Sequence, residues 1–100
     1  MNYYIYQTDA DYNFMDWNFV KDKFNFADYN KVYSGKLIDN GTIKSETQIL
    51  EDIYEMFNIN HPNDYHARSL SISDIVAIER EGGIRYYYCN FLGWELIFFE

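Results

Sequence analysis

Cys89, His61, His66 and Asp64 supply the residue types of a nucleophile, a base and an orienting group. Cys89, however, ends a run of tyrosines, Tyr86-Tyr87-Tyr88-Cys89, that reads as a strand, where a small buried thiol is common. No glycine elbow or helix N-terminus precedes it to stabilise a thiolate. His61, Asp64 and His66 could also ligate a metal, but they surround Pro62-Asn63, a turn without the one-turn spacing of a helical metal site. Gly82-Gly83 is the single glycine pair and reads as a hairpin turn, not a phosphate cradle. Ser69, Ser71, Ser73 and Asp74 fall at the start of a strand, where such side chains satisfy loop N–H groups. We therefore assign no catalytic residue, metal or cofactor, and expect the chain not to be an enzyme.

The acidic stretch is a different matter. From Ser45 to Asp64 there are five carboxylates (Glu46, Glu51, Asp52, Glu55 and Asp64) and no Lys or Arg. If this stretch is helical, Glu51, Asp52 and Glu55 share one solvent face, with carboxylates about 5–7 Å apart. That spacing is similar to successive phosphates of a nucleic acid. The partner-binding residues expected are thus Glu51, Asp52, Glu55 and Asp64, with exposed tyrosines as anchors.

The elements that would position these groups follow from periodicity. Residues 2–7 are rich in aromatic and β-branched types and predict a first strand. Asn13 can cap a helix over Phe14 to Phe24, with Phe14, Trp17, Val20 and Phe24 on one face and Lys21 and Lys23 in its last turn. Tyr29 to Ile38 predicts a second strand, bulged at Gly35, and Asp39-Asn40-Gly41 a turn. Ser45 and Gln48 form a capping box that opens a helix to about Phe57, with Ile49, Leu50, Ile53, Tyr54 and Phe57 as its apolar stripe. After a polar loop over 58–68, strands are expected over 72–80, 84–90 and 93–99. The order is βαβαβββ: an α+β fold with an antiparallel sheet of about five strands and two helices. Ile75 to Ile78 are apolar on both faces, which makes that strand central or else curls the sheet towards a barrel.

The 100 residues suit one domain over 1–100. Aromatic residues make up 21% of the chain, enough to dominate a core of this size. Sixteen acidic against eight basic side chains leave a net charge of −8, which argues against direct contact with nucleic acid or an anionic membrane. The lone Cys89 excludes an internal disulfide, and no signal-peptide pattern or apolar run of membrane-spanning length is present, so the expected location is cytoplasmic.

Asp52 to Tyr65, followed by Ser69-Leu70-Ser71-Ile72-Ser73-Asp74-Ile75-Val76, resembles the YodL-like domain family. So do Tyr86-Tyr87-Tyr88 with Phe91-Leu92-Gly93-Trp94-Glu95, and upstream Tyr29, Val32-Tyr33, Gly35 and Leu37. The resemblance covers residues 29–99 and implies a setting on plasmids and conjugative elements of Gram-positive bacteria, with no catalytic residues to carry over. Ala67-Arg68 and Cys89-Asn90 depart from the Gly-His and Val-Asp pairs common in that family.

Joined to the charge, the resemblance points to an anti-defence protein that occupies the basic guide or DNA channel of a nuclease. Cas9 is the favoured partner, which would make the chain an anti-CRISPR of the type II-A kind. The alternative is a non-inhibitory interaction module serving an element's transfer or replication proteins.

Overall fold

Alternation along the first strand sets the frame. In β1 (Asn2–Thr8), Tyr3, Ile5 and Gln7 turn to one side of the sheet, and Tyr4, Tyr6 and Thr8 to the other. The computed structural model describes residues 1–10, 14–37 and 45–99. It adds β2 (Tyr29–Lys36), β3 (Ile75–Arg80), β4 (Gly83–Cys89) and β5 (Trp94–Ile97) to form one five-stranded sheet in the order β2-β1-β3-β4-β5. Every pairing is antiparallel. The expected α+β class is therefore what the chain adopts. The sheet is open, with β2 and β5 at its edges, and does not close into a barrel.

β3 is the central strand, as its apolar run requires. Ile75, Val76, Ala77 and Ile78 are all buried because both faces of the sheet are covered. One face carries α2 (Glu46–Ile59), whose Ile49, Leu50, Ile53 and Phe57 pack on Tyr3, Ile5, Val76, Ile78 and Tyr87. The other face carries a second cluster around Ile75, Tyr88 and Ile97, roofed by Val20, Trp17, Phe24 and Phe26. Rings meet there at 4.5 Å between Phe26 and Phe99 and at 4.9 Å between Tyr6 and Phe26.

Ser45 caps α2 as its sequence predicts, its Oγ accepting from the Gln48 N–H at 3.1 Å. The reciprocal half of the capping box is replaced: the Gln48 side chain instead donates to Asp52 at 2.9 Å. The first helix departs further from expectation. α1 covers only Trp17–Val20, and Lys21 and Lys23 lie beyond it in a turn. Phe14 sits at φ 71, a left-handed conformation that cannot begin a helix. Asn90 Oδ1 accepts from the Trp17 N–H at 2.8 Å, so the cap comes from the β4–β5 connection and not from α1's own flank. A 3-10 turn at Phe26–Asp28, not anticipated from the sequence, then leads into β2.

Gly35 is not a bulge. The register slips one residue at Val32, since Ile5 faces Tyr33 and Tyr6 faces Lys31. Gly35 is there for a different reason: a Cβ on it would lie 2.6 Å from the ring of Tyr3. Asn13 as a cap, the end of the second strand at Ile38 and the Asp39-Asn40-Gly41 turn fall outside the described residues.

Candidate protein-binding surfaces

α2 fixes its core stripe on the sheet, which leaves Glu51 and Glu55 exposed and Asp52 half-buried on its outward side. Glu51 accepts from the Trp94 indole N–H at 3.2 Å, and Asp52 accepts from Gln48. Glu46 has a different job. It starts α2 against the sheet, where Arg85 holds one carboxylate oxygen at 2.7 Å and the Tyr87 hydroxyl donates to the other. The fifth carboxylate of the stretch, Asp64, lies on the loop after α2 and accepts from the Tyr33 hydroxyl at 2.9 Å.

These contacts divide the expected site. Glu51, Asp52 and Glu55 come together on one helix, with Glu51 tied to Trp94 of the edge strand β5. Asp64 is tied to Tyr33 of β2, the opposite edge. Four strand spacings, about 19 Å, separate those edges. The helix row is therefore one surface and Asp64 a separate point of charge beyond its end.

The anchors also differ from expectation. Among the described residues every Tyr is buried or half-buried, and several of the hydroxyls bond within the fold. Tyr29 donates to the Ser73 carbonyl at 2.6 Å, Tyr88 to the Met15 carbonyl at 2.5 Å, and Tyr65 to the Arg68 carbonyl. The large apolar side chains left exposed include Phe14, Phe19, Phe91, Leu92 and Phe98. Nothing in the sequence separates these phenylalanines from the core ones, because their exposure is decided by which loop packs on which.

The serine-rich run is structural. Asp74 is fully buried, and its carboxylate receives both arms of Arg68, at 2.8 and 2.9 Å, the Ser71 N–H at 2.8 Å and the Gln7 side chain at 3.2 Å. Burial raises its pKa above the ordinary carboxylate value despite these bonds, which pull the other way. Ser73, at φ 82, accepts from the Phe14 N–H at 3.0 Å. The network pins the loop after α2 to the start of β3.

Cys89 is buried, and burial, with the charges of Asp74, Glu51 and Asp16, pushes its thiol up to about 12. At neutral pH it is a protonated core side chain, far from the thiolate that nucleophilic chemistry requires. His61 and His66 are exposed, and His61 Nδ1 meets its neighbour's carbonyl, Pro62 O, at 2.9 Å. Among the described residues no group of three or more His, Cys, Asp or Glu side chains is placed to hold a metal ion. No described helix is long and apolar enough to cross a membrane.

An open antiparallel sheet covered by one long helix on one face and a short aromatic-rich segment on the other defines the class of domain. The YodL-like domain family matches residues 2–99, and the chain belongs to that family. The match takes in the first strand and α1, which the motifs over 29–99 alone did not reach. No curated protein and no solved structure matches the chain.

Proposed function

We propose that this chain is a non-catalytic binding protein whose α2 face docks on a basic surface of another protein, of the kind that holds nucleic acid. The observation that carries this reading is the outward row Glu51, Asp52 and Glu55 on a capped helix, in a stretch without Lys or Arg. A helix fixed at its N-terminus by Glu46, Arg85 and Tyr87 holds that row in place before any partner arrives. Preorganised charge of this type raises association rates and makes binding salt-sensitive. In its sharper form the partner is a nuclease whose nucleic-acid channel the protein blocks, and Cas9 is the target to test first. A second reading, a non-inhibitory interaction module, is favoured by the exposed phenylalanines, which phosphate mimicry leaves unused.

The test is plasmid cleavage by Cas9 with the protein added before or after the guide RNA, alongside the triple variant E51K/D52K/E55K. Inhibition by the native protein and its loss in the variant support the reading. Cleavage unaffected by excess protein, across several Cas9 types, removes Cas9 as the target. Binding to a basic partner that survives the triple charge reversal refutes the role of the α2 face.

A further inference from the structure

The face of the sheet opposite α2 carries a feature that the acidic helix does not explain. Phe14, Met15, Asp16, Phe19, Ile72 and Phe91, with Lys23, line an open cleft of about 620 Å³. Phe14 is 59% exposed, Phe19 76% and Phe91 73%. Leu92, 84% exposed, follows Phe91 in the same turn. A cluster of large apolar side chains in contact with water is the mark of an interaction surface.

The cleft is held rigidly. The Tyr88 hydroxyl donates to the Met15 carbonyl at 2.5 Å, Asn90 Oδ1 takes the Trp17 N–H, and Asp16 Oδ1 takes the Phe91 N–H at 2.6 Å. Phe14 is kept in its left-handed conformation by its N–H on Ser73 Oγ, and the Arg68 guanidinium lies 5.7 Å from its ring. A bulky residue at positive φ is uncommon, and here the surroundings enforce it on an aromatic ring that faces the cleft.

The lining consists of side chains from a helix, a loop and a turn, not of a strand edge. Recognition there works through apolar anchors and not by adding a strand. The charge of the segment that builds the cleft is also one-sided. Residues 9–28 contain five Asp (Asp9, Asp11, Asp16, Asp22 and Asp28) against Lys21 and Lys23, a net of −3. Lys23 is itself engaged within the fold.

We infer that this cleft is a docking site for a cationic amphipathic helix of a partner protein, its apolar side chains seated on Phe14, Phe19 and Phe91 and its basic flank drawn to the acidic segment around them. A second copy of this chain, itself at −8, does not fit that charge. The inference goes beyond the α2 reading and concerns a separate surface, so the protein would engage partners through two faces of one sheet.

A fluorescein-labelled 18-residue Leu/Lys peptide with an amphipathic helical pattern serves as the probe, read by anisotropy. A scrambled peptide of identical composition is the control. The native protein should bind the patterned peptide at least tenfold more tightly than the scrambled one. F19S/F91S, which alters two exposed rings, should lose at least tenfold while its thermal melting is unchanged. E51K/D52K/E55K should stay within threefold of the native protein. Equal binding of both peptides, or full binding by F19S/F91S, overturns the inference. If only the triple variant loses the peptide, the cationic probe sits on α2: this inference fails and the α2 reading stands.

Discussion

Removing Arg68 gives the sharpest test of how the loop after α2 is held. Asp74 is fully buried, and Arg68 supplies two of the bonds to its carboxylate. In R68M that carboxylate keeps only the Ser71 N–H and Gln7. Breaking one partner of a buried pair costs about 3–5 kcal/mol, a large share of the roughly 5–15 kcal/mol that holds a domain together. For a domain of this size that is a melting-temperature loss of about 12–40 °C. The pH dependence carries the mechanism. Burial already raises the pKa of Asp74, and losing Arg68 raises it further. A group whose folded pKa lies above its unfolded value binds its proton more tightly in the folded state. The penalty in R68M is therefore largest above the raised pKa and shrinks as pH falls through it towards the unfolded value near 3.8. The slope is at most about 1.4 kcal/mol per pH unit for one proton. Urea unfolding of native protein, R68M and R68M/D74N from pH 4 to 8 reads the difference directly. R68M should regain stability in acid more steeply than the native protein does, and R68M/D74N, which has no carboxylate at position 74 to titrate, should lack that contribution and show the weakest acid gain of the three. An R68M profile parallel to the native one, or a cost below about 1 kcal/mol, would refute the argument.

Further outcomes follow from other contacts. G35A should lose about 1–3 kcal/mol from overpacking against Tyr3. The loss should shrink or reverse in a Y3A background, and an equal loss in both backgrounds in urea melts would exclude the ring as its cause. Cys89 should react with a disulfide reagent at pH 8 only as fast as the fold opens, and fast labelling of the native protein would contradict its burial. Because its folded pKa is raised, the stability it contributes is complete below about 9 and is lost as pH rises through about 12. S45A should cost about 1 kcal/mol through loss of the α2 cap, measured by thermal melting.

What the sequence revealed and what it hid have a common cause in range. α2 is legible because its cap, stripe and acidic row all lie within one short stretch, from Ser45 to Ile59. β3 is legible as central because four successive apolar residues need cover on two faces. α1 is shorter than its periodicity because Asn90 and Phe91, more than 70 residues away, dictate where its backbone is held. The same holds at the binding surface. The helix row follows from spacing, whereas the diversion of Glu46 to Arg85 and of Asp64 to Tyr33 depends on which strands the sheet brings alongside. Exposure of Phe19 and Phe91, against burial of every described Tyr to at least half, is likewise a result of loop packing that no local pattern encodes.

The strand order has a consequence for how the protein is made. β1 is flanked by β2, which follows it closely in the chain, and by β3, whose Glu79 pairs with Asn2. As a chain grows from its N-terminus, β1 and β2 can pair early, but the other side of β1 stays open until residues 75–80 emerge. At about 5–20 residues per second, the stretch between the end of β2 and the start of β3 takes roughly 2–8 s to synthesise. For that interval Tyr3 and Ile5 face water beside an unpaired strand edge. The acidic row of α2 is synthesised within it, so the chain carries added like charge while that edge is open.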